Sequence, residues 1–289
     1  MAQLVDSFRK IPILSSLLGG DEPLVTVLDL QGVIGQGGPG RRALTYARVE
    51  KAIEAAFKPS NLAAVALAIN SPGGSPVQSR MICKAIRRAA EKKEKPVFAF
   101  IEDVGASGGY ILALAADEIY ADPSSIVGSI GVIAATFGFQ EAIARFGVER
   151  RVHTAGANKS QLDPFRPEDP ADVERLKEIL DDMHGQFIDL VRERRGDRLK
   201  EDADLFSGAF WTAGPAERRG LIDGTAHLAD FMRARYGERV KLRKVALDRA
   251  SLFRRMLGGR AGVTAELEAL PEALIETLEA RALWARFGL

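Results

Sequence analysis

Residues Val97–Leu114 read VFAFIEDVGASGGYILAL. The run Val97-Phe98-Ala99-Phe100-Ile101 is short, apolar and rich in β-branched and aromatic residues, which predicts a buried strand. Glu102 and Asp103 follow, then Gly105-Ala106-Ser107-Gly108-Gly109, then Tyr110–Leu114 with the composition of a helix. A serine therefore sits among small residues where a strand turns into a helix. Glycines permit a tight turn with unusual φ and leave a hydroxyl uncovered. Backbone N–H groups at the start of a helix can stabilise developing negative charge. The same stretch also fits a glycine-rich turn in which Ser107 is an ordinary N-cap.

The chain around this stretch alternates strands and helices. Leu24–Leu30 reads as a strand, Gly32–Gly40 as a glycine-rich loop and Tyr46–Phe57 as a helix. Val65–Ile69 is a second apolar strand, ending in Asn70-Ser71-Pro72-Gly73-Gly74-Ser75 and followed by a helix over Val77–Lys92. Near-continuous apolar strands between helices predict an α/β fold with a parallel sheet covered on both faces. Ligands in such folds gather where strands end and helices begin, which is where both glycine turns lie. Further on, Glu118–Ala121, Gly128–Ile133 and Arg150–Thr154 read as strands, Phe139–Phe146 as a helix, and Ala171–Arg195 as a long helix. Phe210–Asp223 reads as a short helix leading back to the core, and the remainder from about Phe231 reads as helical and charged.

Composition excludes several classes of function. Of the 289 residues, 46% are hydrophobic and 27% charged, an ordinary globular balance. The net charge of +1 and the absence of a basic cluster argue against a nucleic-acid partner. One cysteine, Cys83, rules out an internal disulfide and a cysteine-rich metal site. The histidines, His153, His184 and His227, are scattered and show no metal-binding spacing, and the Gly32–Gly40 loop lacks a nucleotide fingerprint. No metal or cofactor is expected.

The first residues do not read as a secretory signal: Asp6, Arg9, Lys10 and Pro12 interrupt them. No apolar run is long enough for a membrane span. Leu4 to Leu18 is nevertheless apolar and partly amphipathic, which suits a helix packed on the body or on another subunit, with contact to a membrane surface as the alternative. The expected division is an apolar arm over 1–20, a catalytic domain over 21–230 and a helical extension over 231–289. The expected location is the cytoplasm, or the periphery of the inner membrane.

A serine becomes a nucleophile when a neighbouring group takes its proton. The three histidines have weak contexts, His184 and His227 in helix-like segments and His153 in a strand-like one. A neutral lysine can serve instead, and burial away from acids favours the neutral form. Lys159 lies in the small-residue turn Gly156-Ala157-Asn158-Lys159-Ser160, away from the charge-rich helices that carry most other lysines. On composition alone, a surface-loop lysine is the simpler reading.

Three motifs in one order change that reading: SPGGS at Ser71–Ser75, GASGGY at Gly105–Tyr110 and GSIGV at Gly128–Val132. Together they resemble the S49 family of serine peptidases, the signal peptide peptidase A group with its SohB-like members. The similarity covers roughly Leu24 to Gly224, and FWTAGPAERRGLIDG at 210–224 resembles the end of that family's catalytic domain. The resemblance implies that Ser107 is the nucleophile, Lys159 the general base and Ser129 a serine that positions the lysine. It implies an oxyanion hole from Gly74, with Gly73 beside it, and from the N–H of Gly108. It implies the Clp protease and crotonase type of α/β fold, with stacked β-sheets, β-β-α units and helices outside. It also implies a homo-oligomer acting on peptides. Apolar walls at Val97–Ile101 and Ile130–Ile133 are expected to desolvate the lysine. Unlike many relatives, this sequence shows no N-terminal anchor, which leaves signal peptides open as its substrates.

Two other classes compete. A crotonase-like acyl-CoA enzyme would keep the glycine hole but use a carboxylate, with Glu102 and Asp103 as candidates. A non-catalytic assembly or scaffold protein would keep the fold without needing Ser107, Lys159, Ser129 and Gly74 together.

Overall fold

The computed structural model describes residues 22–35, 43–247 and 281–288. The arm over 1–20, most of the Gly32–Gly40 loop, and most of the extension expected over 231–289 lie outside the described residues.

The chain runs β1 (Leu24–Gln31), α1 (Tyr46–Ala56), β2 (Leu62–Ser71), α2 (Pro76–Lys93), β3 (Val97–Ala106), α3 (Gly108–Ala113), β4 (Glu118–Ala121) and β5 (Ile126–Gly128). It continues through α4 (Gln140–Arg145), α5 (Pro170–Arg195), β6 (Phe210–Thr212), α6 (Ala213–Arg218), β7 (Gly224–Thr225), α7 (Leu228–Tyr236) and β8 (Lys241–Val245). The fold is α/β, as the strand–helix alternation predicts. Strands β8, β1, β2 and β3 pair in parallel in that order. The sheet forks at β3: its first half pairs with β4, its second half with β5. The stacking expected of separate sheets thus takes the form of one sheet branched at the strand that delivers Ser107.

Both faces of the sheet are covered. On one, Leu28, Leu67, Ile69, Ala99 and Ile101 pack with Ile82 and Ile86 of α2 and with Tyr110 to Ala113 of α3. On the other, Val27, Ala66, Phe98 and Phe100 meet Met232 and Phe231 of α7. Alternate residues of each strand serve opposite faces, so a strand buried on both must be apolar throughout. Each such Val, Leu, Ile or Phe side chain, when fully buried, stabilises the fold by about 1.5–3 kcal/mol.

Polar tethers then tie α5 to this core. Arg195, 3% exposed, donates from Nη1 and Nη2 to the Asp223 carboxylate at 2.8 and 3.0 Å and from Nε to the Gly220 carbonyl at 2.7 Å. Asp223 also accepts the Ile119 N–H of β4 at 2.7 Å. Arg194 donates to the Leu114 and Ala116 carbonyls at 2.8 and 3.0 Å, occupying acceptors left open at the end of α3.

Three sequence expectations are corrected. The strand expected over Gly128–Ile133 ends at Gly128, and Ile133 is exposed. Arg150–Thr154 is an exposed stretch without strand pairing, because among the described residues no strand lies beside it. The region from Phe231 is not helical throughout: α7 ends at Tyr236 and β8 joins the main sheet beside β1. The sheet therefore runs past the boundary expected at 230. Its charged sequence, Lys241-Leu242-Arg243-Lys244-Val245, suits an edge strand, where lysines discourage pairing with another chain.

Replacing Arg195 by alanine leaves the Asp223 carboxylate without its bidentate partner in a largely buried setting. Urea unfolding is expected to show a loss of about 3–5 kcal/mol. Arg195→Lys, which cannot form the planar fork, is expected to recover only part of it.

Candidate active site

Two glycine turns meet at the C-terminal ends of β2 and β3. The first, Gly73-Gly74, follows β2 and leads into α2, whose N-cap Ser75 accepts the Gln78 N–H. The second carries Ser107 from β3 into α3. Ser71 pairs with Gly105, which brings the turns side by side. How close they come is measured by what a Cβ would strike. At Gly73 it would lie 2.9 Å from both the Gly108 nitrogen and the Ser107 Cβ, and φ is +104°. At Gly74 it would lie 1.9 Å from the Ile34 carbonyl oxygen, with φ +137°. Only glycine fits either position.

Ser107 has φ 51° and ψ −121°, a backbone conformation that L side chains rarely adopt. Its own N–H donates to the Gly128 carbonyl at 2.8 Å, and its carbonyl accepts from Tyr110 and Ile111 in α3. The strained conformation is thus held from both sides. Among the described residues the Ser107 hydroxyl has no hydrogen-bond partner, so Ser107 is not acting as a side-chain N-cap.

Two amides border this hydroxyl. Gly108 is the first residue of α3, so its N–H has no acceptor within the helix. In the bridge between Ile34 and Gly74 the bonds run from the Ile34 N–H to Gly73 and from the Ser75 N–H to Ile34, leaving the Gly74 N–H outside it. A Cβ on Gly108 would lie 3.3 Å from the Gly74 nitrogen, so the two amides are neighbours.

Ser129 adjoins the same place. It is 5% exposed, has φ +53°, and donates its N–H to the Ala209 carbonyl at 2.7 Å. Because Gly128 accepts from Ser107, Ser129 lies one residue from the backbone partner of Ser107. The structure thus brings Ser107, Gly73, Gly74 and Gly108 into contact and sets Ser129 beside them.

Lys159 is placed differently. It lies in an exposed turn, its N–H bonded to the Gly156 carbonyl at 3.3 Å, and its ammonium has no ion-pair partner among the described residues. The apolar walls expected to enclose it do not do so in the single chain: Val97–Ile101 is consumed by the core and Ile133 is 67% exposed. A cleft of about 1070 Å³ runs beside it, lined by Ala157, Asn158 and Ser160 together with Phe137 and Pro164, but touching neither glycine turn.

Other candidates fall away on geometry. Glu102 accepts from Gln31 at 3.1 Å and Asp103 from Asn70 at 2.5 Å. Glu102 continues the Phe98, Phe100 face of β3, which is turned from α3. Burial pushes the Cys83 thiol up to about 11, so it is no nucleophile at neutral pH. His227 pairs with Asp122 at 3.2 Å, and His153 is exposed. The residue sequence reasoning passed over is His184, whose Nε2 lies 3.1 Å from the Ile130 carbonyl, one residue beyond Ser129.

Relief of the Ser107 conformation gives a check on its strain. Ser107→Gly is expected to raise the unfolding free energy by about 1 kcal/mol in urea titration, whereas Ser107→Ala, which keeps the Cβ, leaves it near the wild type.

Comparison with known proteins gives the family. The sequence model of peptidase family S49 matches residues 89–241. The chain is 49% identical over 274 residues to a Brucella melitensis protein named Na(+)/H(+) antiporter NhaA, covering 93% of this chain and 37% of that one. It is 30% identical over 192 residues to the chloroplastic serine protease SPPA of Arabidopsis thaliana, covering 66% and 28% of the two. Protease 4 of Salmonella typhi is 29% identical over 188 residues, covering 64% and 29%. The chain therefore spans well under half the length of these relatives. Among solved structures, a membrane-bound stomatin-specific protease matches with a TM-score of 0.48 at 16% identity, over 78% of this chain and 98% of its own. The antiporter's name describes that longer protein; among the described residues here, no helix is long and apolar enough to cross a membrane. The family match spans β3, the Ser107 turn, the Ser129 loop and Lys159, and on it the chain belongs to peptidase family S49.

Proposed function

We propose that this chain is a serine endopeptidase that hydrolyses short or unfolded peptides with a serine–lysine dyad. The observation that carries this reading is the meeting of the strained Ser107 turn with the amides of Gly74 and Gly108. A nucleophile beside two uncommitted N–H donors is what acyl transfer requires.

In the proposed cycle, neutral Lys159 takes the Ser107 hydroxyl proton as Oγ attacks the peptide carbonyl. The Gly74 and Gly108 N–H groups donate to the resulting oxyanion, with Gly73 leaving room for it. The lysine ammonium gives its proton to the departing amine, and the acyl group stays on Oγ. A water, deprotonated by the lysine, then attacks the acyl carbon; the bond from that carbon to Oγ breaks, the lysine returns its proton to Oγ, and the carboxylic acid product leaves. Ser129 holds the lysine in direction without exchanging a proton. Serine–lysine pairs are a known variant of the triad logic.

For Lys159 to serve, it must leave bulk water. Its arm, residues 131–169, exposes Phe137 at 78%, Phe146 at 84% and Val148 at 56%. Apolar side chains in that number on one segment call for cover. We propose that a second copy of the chain supplies it, so that assembly closes the arm over the site. The place of action in this reading is the cytoplasm, with the 1–20 arm as the segment that would meet a membrane surface.

Three outcomes are expected. Ser107→Ala and Lys159→Ala each abolish peptide hydrolysis without changing the circular dichroism spectrum, and Ser129→Ala loses less; near wild-type turnover of either of the first two removes the dyad. Activity rises with pH through one ionisation and levels off, because the base must be neutral; His153→Gln, His184→Gln and His227→Gln keep that limb, while Lys159→Arg is inactive because arginine stays protonated. Light scattering at micromolar concentration gives a multimer, and Phe137→Asp with Phe146→Asp lowers both mass and activity. An active monomer would remove the role given to assembly.

A further inference from the structure

On helix α5, half-buried His184 and buried Phe187, Val191 and Arg195 are spaced three, four and four residues apart, so they share one face as a stripe. The middle of the stripe is apolar, and Phe187 and Val191 are 4% and 0% exposed. Its two ends are polar, and each grips a backbone carbonyl. At the C-terminal end Arg195 holds Gly220, and its neighbour Arg194 holds Leu114 and Ala116 just past α3, the helix that begins at the nucleophile. At the other end His184 meets the carbonyl of Ile130, whose side chain is fully buried. From His184 to Arg194 the helix rises about 15 Å. One helix thus grips both the end of the Ser107 helix and the loop that carries Ser129.

The Ser129 loop is pinned residue by residue. Gly128 accepts from Ser107, Ser129 donates to Ala209, and the Ile130 carbonyl meets His184. Gly131 then donates back to the Ser129 carbonyl at 3.0 Å, and beyond it the chain leaves the core for the exposed arm that carries Lys159. His184 is the last side-chain hold before that exit. Because a carbonyl only accepts, Nε2 must bear the hydrogen, in the neutral ring or the imidazolium alike.

We propose that His184 is a positioning residue for the peptidase reaction: its N–H to the Ile130 carbonyl fixes Ser129 and the point from which the Lys159 arm departs. This rests on the serine–lysine reading given above. It assigns His184 no proton transfer, since the hydrogen bond persists whether or not the ring is protonated.

The test compares His184→Gln, which keeps an N–H donor at similar reach, with His184→Leu, which removes it, and His184→Asn, which keeps the donor but shortens it. The readouts are peptide hydrolysis and amide hydrogen exchange of the 128–133 segment, the second independent of activity. His184→Leu and His184→Asn are expected to lower kcat about tenfold with KM within about twofold, and to speed exchange in 128–133 by a similar factor while the core strands are unchanged. His184→Gln is expected to match the wild type in both. Ser129→Ala and His184→Leu together are expected to cost less than the product of their separate losses, as for residues acting as one unit. Wild-type kcat in His184→Leu, equal losses in all three variants, or losses that multiply would overturn the proposal, as would exchange in 128–133 that does not respond. A wild-type protein that hydrolyses no peptide would instead overturn the peptidase reading, with hydrogen exchange alone then deciding whether His184 pins the loop.

Discussion

The close approach of two backbone turns governs this structure. Gly73 comes so near Ser107 and Gly108 that no Cβ could stand between them. That approach is possible because β2 and β3 are parallel neighbours ending at the same level, with Ser71 opposite Gly105. It is useful because it leaves amides of both turns unclaimed next to one hydroxyl. The strain in Ser107, of order 1–3 kcal/mol for such a conformation, is held by its bonds to Gly128 on one side and α3 on the other. The apolar strands, the α2 and α3 helices and the Arg195–Asp223 pair can all be understood as what keeps those turns in register.

In the proposed mechanism the nucleophile and its donors stand on the sheet-fixed turns, whereas the base stands on an exposed segment. This division has a physical consequence. Glycine turns fixed by a sheet need no ligand or partner to hold their geometry. A lysine that must be neutral does need one, because water favours its charged form. The apolar side chains of the arm provide a driving force for cover, and cover is what the lysine lacks. In this account, folding sets the nucleophile and association sets the base.

Much of this was legible in the chain. Val97–Ile101 and Glu118–Ala121 read as strands because each is a short apolar or alternating run between breakers, and the structure has β3 and β4 there. The two glycine turns were legible because so dense a run of small residues serves no packing purpose. Other features were hidden. Strand β8 is mostly charged, so its pairing with β1 is decided by the sheet edge rather than by hydrophobic pattern. Arg150–Thr154 has strand-like composition, yet strands need partners and none adjoins it among the described residues. His184 was read as an ordinary helix residue, since its hydrogen bond to Ile130 joins positions 54 apart in sequence. The exposure of Lys159 in the single chain is what its small-residue turn suggested on composition alone, whereas the apolar walls expected to cover it do not reach it.

The most direct test of the central claim is a crystal structure of the protein reacted with a peptide aldehyde. The account predicts a hemiacetal on the Ser107 Oγ, with its oxygen about 2.7–3.1 Å from both the Gly74 and Gly108 nitrogens. An adduct on another residue, or an oxygen turned away from those two amides, would contradict it.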